Sequence, residues 1–145
     1  MKAVIQRVSW GEVWVGGERV ARIEQGLLVL VGFSNTDREE ILPRAAKKIV
    51  ELRIFEDEAG KMNLSILDKG FEILVVPNFT LTGSIEKGRR PSFDTCMEPQ
   101  RAKLFFEKLC DHISAYGVKV EKGVFQAKME VKLLNYGPVT FILEL

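Results

Sequence analysis

The chain has 145 residues, 46% hydrophobic and 28% charged, with a formal net charge of +1. That length suits one domain, able to bury roughly two-thirds of its unfolded surface, and a charge so near zero gives no global attraction for nucleic acid. A single histidine and two cysteines exclude a zinc cluster of familiar spacing and leave His112 as the only imidazole for a triad or dyad.

Residues 3–8 form a β-branched run, and Val13 and Val15 alternate with Glu12 and Trp14 before the turn residues Gly16-Gly17 and the segment 19–23, a strand leading into a hairpin. Residues 27–31 are continuously apolar between Gly26 and Gly32, as expected of a strand covered on both faces. Thr36 with Glu39 fits a capping box, and Ile41, Ala45, Ile49 and Leu52 continue at helical spacing, with Pro43 requiring a late start or a kink. Residues 56–70 read as loop and 73–76 as a second buried strand stopped by Pro77. Residues 81–99 read mostly as surface loop. A second helix starts near Pro99, carries the stripe Ala102, Phe105, Phe106, Leu109, Ile113 and Tyr116, and ends at Gly117. Segments 118–120, 124–125, 129–134 and 139–143 read as closing strands, giving about seven strands and two helices in one domain, 1–145. No apolar run approaches the ~18 residues of a membrane span. Residues 1–7 are too short and too soon charged for a signal peptide, so the expected setting is the cytoplasm, with Cys96 and Cys110 as free thiols.

Each polar cluster has a plain reading beside a chemical one. His112 sits at the edge of a helix stripe, and the adjacent Asp111 points to a different face, so the two form no dyad. Glu56, Asp57 and Glu58 share a loop with Gly60 and Lys61 and lack calcium-loop spacing; no metal site is expected. Lys87, Arg89 and Arg90 run into Pro91-Ser92-Phe93, either a solvated loop or phosphate contacts with a ring available for stacking. Phe79 and Thr80 follow a buried strand; a Thr80 nucleophile has no base near it in sequence, and a wall of backbone N–H groups is the more economical arrangement. Residues 135–140, containing Gly137-Pro138, read unaided as a turn between two strands.

Taken in order, segments 3–8, 52–57, 60–65, 87–93 and 135–140 resemble the D-aminoacyl-tRNA deacylases (D-tyrosyl-tRNA deacylases in older naming), and the likeness spans essentially the whole chain. The resemblance implies a single compact three-layer α/β/β domain with mixed β-sheets and two main helices, working as a homodimer without a cofactor. It implies a cis Gly137-Pro138 bond that enters the partner's site, where its carbonyls meet the substrate α-amino group. Arg7 would hold that dipeptide, and Phe79 and Thr80 would line the reacting ester through their backbone. Phe93 would meet the terminal adenosine of the aminoacyl-tRNA, and Met129 would line the pocket. The chain departs from the family in having Pro77-Asn78 where Ser-Gln is usual and Gln126 where glycine is usual. The competing expectations are a noncatalytic RNA- or nucleotide-binding module on the same fold and a general esterase using Thr80.

Overall fold

The computed structural model describes residues 1–145. Its elements are β1 (Lys2–Val15), β2 (Glu18–Ile23), β3 (Gly26–Gly32), α1 (Ile41–Glu51), β4 (Phe55–Glu56), β5 (Met62–Leu64), α2 (Ile66–Lys69), β6 (Glu72–Pro77), α3 (Pro99–Ser114), β7 (Val120–Lys122) and β8 (Glu130–Glu144). One sheet runs β2-β1-β3-β6-β7, with β8 pairing the other edge of β1; β4 and β5 form a separate hairpin. β1 is antiparallel to β2, β3 and β8, whereas β3–β6 and β6–β7 are parallel, so the sheet is mixed.

Strand alternation explains the layers. Leu27, Val29 and Val31 of β3 with Ile73 and Val75 of β6 face α1 and α3, joining Leu42, Ile49, Phe106 and Leu109 in the main core. The intervening Leu28, Leu74 and Val76 point the other way and meet Val13, Ala21 and Ile23. Helices, central sheet and a folded-over sheet thus stack as three layers. β1 serves both cores: Ala3 and Ile5 belong to the helix-side core and Val8, by alternation, to the other, but Val13 has the parity of Ala3 and joins the second core because the facing reverses along the strand. Val8 pairs with Asn135 and Trp10 with Leu134, leaving Ser9 as an extra residue, and such a bulge shifts every later side chain to the opposite face.

Several local expectations are corrected. Thr36 and Glu39 cap nothing: α1 begins at Ile41 behind Glu40, which makes no side-chain cap. Pro43 falls in its first turn, where a missing N–H leaves no intrahelical bond unmade. The capping box lies instead at Ser65 and Asp68, opening α2 inside a segment expected to be loop. The Asp68 carboxyl is held below its ordinary range, chiefly by the Ser65 backbone N–H and hydroxyl. That segment also holds β5, three residues long and too short to show a period. Residues 124–125 are not a strand, and segments 129–134 and 139–143 are parts of the single strand β8. The two main helices are α1 and α3; the four-residue α2 is additional, and the strands number eight where about seven were expected.

Candidate active site

β6 ends at Pro77, and the chain turns at once into a 3-10 turn, Phe79–Thr82. The turn is fastened to the end of β3. The Asn78 N–H donates to the Val31 carbonyl (2.8 Å), and Gly32 admits the Asn78 carbonyl so closely that a Cβ there would lie 2.6 Å from it. The buried Thr82 hydroxyl lies 3.0 Å from both the Phe33 and the Phe79 carbonyls and 3.3 Å from Cys96 Sγ. The first bond of the turn is donated by Leu81 to Asn78, so the Phe79 and Thr80 N–H groups donate to nothing in the chain. Two neighbouring amides on a fixed turn are what an oxyanion site requires. The exposed Thr80 hydroxyl donates to Asn78 Oδ1, a carboxamide oxygen too weakly basic to activate it.

Phe79 divides two clefts. The larger, about 540 Å³, is walled by Phe33, Phe93, Pro99 and Phe125; the smaller, about 310 Å³, by Leu30, Val76, Met129 and Val131. Pro77, Asn78, Phe79 and Gln126 line both. The Phe93 ring packs edge-on against Phe79 with centroids 5.1 Å apart, and it crosses Gly83 so closely that a Cβ there would meet it at 2.9 Å. Paired backbone bonds between Ser84 and Ser92, 2.8 Å each way, pinch the base of the intervening loop. Lys87, Arg89 and Arg90 stand exposed on this loop and line neither cleft. Met129 holds the opposite rim: its sulfur accepts from the Val124 N–H at 3.3 Å. In the same rim Gln126 has φ +61°, the only non-glycine residue with positive φ. An L side chain in that conformation costs roughly 1–2 kcal/mol.

Gly137-Pro138 lies elsewhere in the same chain. Gln6 pairs with Thr140 and Val8 with Asn135, so residues 136–139 bow out of β8 opposite Arg7 alone. The Gly137–Pro138 peptide is cis. Arg7, on the helix-side face with Ala3 and Ile5, is 5% exposed. Its Nε donates to the Tyr136 carbonyl (3.0 Å) and its Nη1 to the Ile54 carbonyl (2.8 Å), while the guanidinium lies 4.9 Å from the Tyr136 ring centroid. The Val139 N–H donates to Asn135 Oδ1 at 2.8 Å, closing the bow from inside. Arg7 and Tyr136 border a third cleft of about 460 Å³ that shares no residue with the two beside Phe79. Along β3, Gly32 pairs with Lys2 and Leu27 with Arg7, a five-residue separation. At ~3.3–3.4 Å per residue that is about 17 Å between the Phe79 end of the strand and the Arg7 end.

The D-Tyr-tRNA(Tyr) deacylase family model matches residues 4–144. The chain belongs to this family. The "D-aminoacyl-tRNA deacylase" of Thermoanaerobacter pseudethanolicus is 53% identical over 144 residues, covering 99% of this chain and 97% of that protein. That of Aquifex aeolicus is 50% identical with the same coverage. A solved structure described as "c-Myc DNA Unwinding Element Binding Protein" aligns with TM-score 0.93 at 40% identity, over 99% of this chain and 98% of that one. A probable eukaryotic D-amino acid tRNA deacylase shares the fold at TM-score 0.86 and 19% identity, over 98% of this chain and 97% of that one.

Within this deacylase-family fold, Phe79, Thr80, Phe93 and Met129 come together, Lys87, Arg89 and Arg90 lie on the loop that leads into Phe93, and Arg7, Gly137 and Pro138 form a second group. Sequence reasoning missed Thr82 and Cys96, which steady the turn, and Phe125, which walls the larger cleft after being read as strand. Only their proximity in the fold reveals the first two; an aromatic two residues from a glycine was a weak signal for the third. His112 is half-buried on α3, away from both groups. The Asp57 carboxyl is held below its ordinary range chiefly by the Lys61 N–H, with the Ala59 N–H and the Asn63 amide adding to it. It therefore organises a turn, and no group of three or more His, Cys, Asp or Glu side chains is arranged to hold a metal. Both cysteines are free, and burial pushes the Cys110 thiol up to about 12, so it is protonated at neutral pH. No helix is long and apolar enough to cross a membrane.

Proposed function

We propose that the chain hydrolyses the ester of D-aminoacyl-tRNA, releasing the D-amino acid and tRNA. The observation that carries this reading is the pair of unpartnered Phe79 and Thr80 amides set beside an aromatic cleft in a deacylase-family fold. Water adds to the ester carbonyl carbon, and the developing oxyanion faces those two amides. The tetrahedral species then expels the ribose 3′-oxygen, which takes up a proton. An aminoacyl ester is already activated, and its neighbouring 2′-hydroxyl assists the water, so orientation and fixed donors suffice without a histidine, metal or cofactor.

Phe93 meets the terminal adenosine, Met129 lines the pocket, and Lys87, Arg89 and Arg90 take tRNA phosphates. Gly137 and Pro138, held by Arg7, offer carbonyl oxygens to the α-amino group and drive an L side chain into the wall while a D side chain points out. In one chain these carbonyls lie opposite Arg7, about 17 Å along β3 from the Phe79 turn, so the reading requires a homodimer in which each copy supplies the dipeptide to its partner's Phe79 cleft. β8 exposes the apolar side chains of Tyr136, Phe141 and Ile142, apolar surface that a second copy would cover. Glycine, having no side chain to reject, is admitted as well, and the working compartment is the cytoplasm.

The test is release of D-tyrosine from D-tyrosyl-tRNA with little action on the L-form; equal hydrolysis of both, or of neither, refutes the reading. The nucleic-acid-binding description of a 40%-identical structure favours a second reading, a binding module without turnover. Tight binding of an aminoacyl-adenosine analogue with no hydrolysis of the ester would establish that instead.

Thr80→Ala separates the backbone mechanism from a threonine nucleophile. Steady-state assays of the variant are expected to retain activity within about fivefold, against the roughly hundredfold or greater loss that removing a base or an oxyanion donor brings. A loss of that larger size, together with hydrolysis of simple esters by the parent protein, would instead support the threonine esterase.

A further inference from the structure

The geometry points to Gln126 as a substrate-binding residue whose carboxamide meets the polar join between the terminal nucleoside and its aminoacyl group; this rests on the deacylase reading above. Gln126 occupies the third position of a turn closed by the Ala127 N–H donating to the Val124 carbonyl (3.2 Å). With φ +61° it takes a conformation that glycine adopts freely and glutamine does not. Nothing inside the fold repays that choice: the side chain is exposed and takes part in none of the chain's side-chain hydrogen bonds. A non-glycine residue kept in this region beside a cleft directs attention to what enters the cleft.

The loop that carries Gln126 is a fixed platform. The Gly123 N–H donates to the Val75 carbonyl at 2.8 Å, and a Cβ on Gly123 would lie 3.0 Å from Met129 Sδ and 3.2 Å from Pro77 Cδ. From this platform Gln126 borders both clefts, on the ridge it shares with Asn78 and Phe79. A planar base among Phe79, Phe93 and Phe125 places its ribose hydroxyls and ester over that ridge, with the aminoacyl part toward Met129. Those groups need both donors and acceptors, and the lining there is otherwise largely apolar. On that ridge Asn78 has its Oδ1 engaged by Thr80 and only its N–H donors to offer, so the Gln126 carboxamide is the side chain there with both a free oxygen and free N–H donors to serve them.

The experiment compares wild type, Gln126→Ala and Gln126→Gly. Binding is measured with the non-hydrolysable amide of D-tyrosine and 3′-amino-3′-deoxyadenosine, which needs no turnover, and KM and kcat are measured on D-tyrosyl-tRNA. Both variants are expected to bind the amide about 5–20-fold more weakly and to raise KM equally, with kcat within about threefold. Thermal denaturation is expected to show a higher midpoint for Gln126→Gly only, because glycine relieves the backbone while both variants lose the carboxamide. Unchanged amide binding in both variants overturns the assignment. So does weakening confined to Gln126→Gly, which would be a backbone effect, or a KM change on tRNA without one on the adenosine amide, which would place the contact elsewhere. A wild-type protein that binds the amide but leaves the ester intact defeats the deacylase reading alone.

Discussion

Arg7→Met is expected to lower unfolding stability by about 3–5 kcal/mol and catalytic efficiency on D-tyrosyl-tRNA by roughly a hundredfold or more. The stability loss follows from what the guanidinium spans. It joins the Ile54 carbonyl beyond α1 to the Tyr136 carbonyl in the bow of β8, at 2.8 and 3.0 Å, from a position only 5% exposed. Methionine fills similar space and offers no donor, so the buried Ile54 carbonyl and the part-buried Tyr136 carbonyl both lose their charged partner. The nearest carboxylate, Glu56, is 3.9 Å from Nη2 and half-exposed, so it contributes little by comparison. The larger effect falls on function, because the Tyr136 carbonyl immediately precedes Gly137-Pro138, and a shift of about an ångström in a positioning group is enough for such a loss.

Arg7→Lys gives the internal control. Its single ammonium retains charge but has no planar fork with which to reach two carbonyls in different directions. Denaturant melts are expected to place it between wild type and Arg7→Met, while its ratio of D- to L-tyrosyl-tRNA hydrolysis falls toward that of Arg7→Met. A D/L ratio unchanged in both variants, assayed well below their melting points, would separate Arg7 from the chirality gate and leave it a structural residue.

Arg7 also shows where a sequence is legible and where it is not. β3 and β6 were plain because a run of four or five apolar residues bounded by Gly26 and Gly32, or stopped by Pro77, is too short for a helix and fits a strand covered on both faces. The α3 stripe was equally plain as far as Ile113, and Pro99 marked its start, but the helix stops at Ser114, so Tyr116, expected in the stripe, lies exposed in the turn that carries Gly117. β8 was misread as two strands because Gly-Pro normally interrupts a ladder. Here the ladder resumes, since residues 136–139 bow out against one residue of β1 and both flanks keep their pairing. An arginine in a β-branched run gives no hint of burial by itself. Its burial comes from parity with Ala3 and Ile5, combined with two carbonyls contributed from residues 54 and 136. The Phe79–Phe93 contact is similarly invisible: it depends on Gly83 letting a ring 10 residues onward cross the backbone. The chemistry-bearing residue types were readable, whereas their division into two groups at opposite ends of β3 was not.

Gly137→Ala is expected to be damaging for a reason distinct from lost hydrogen bonding, and the difference can be measured. Gly137 has φ +142°, and a Cβ there would lie 2.5 Å from Val139 Cγ2, 2.9 Å from the Val139 nitrogen and 3.2 Å from Arg7 Nη2. The Cγ2 methyl of Val139 can be removed, but its nitrogen cannot retreat, because its N–H is committed to Asn135 Oδ1 at 2.8 Å. Conformational strain and overlap together are expected to cost about 2–4 kcal/mol. The bow must open or slide to relieve them, carrying the Gly137 carbonyl with it, so efficiency on D-tyrosyl-tRNA is expected to fall by about a hundredfold or more. Adding Val139→Ala removes the 2.5 Å overlap and leaves the 2.9 Å one. The double variant should therefore be less destabilised than the sum of the singles, by roughly 1 kcal/mol in denaturant titrations, while its activity stays low. Activity restored in step with stability would mean that the dipeptide's exact position is immaterial to catalysis. A stability gain without restored turnover is the result expected if the backbone at Gly137 is itself the part that meets the substrate.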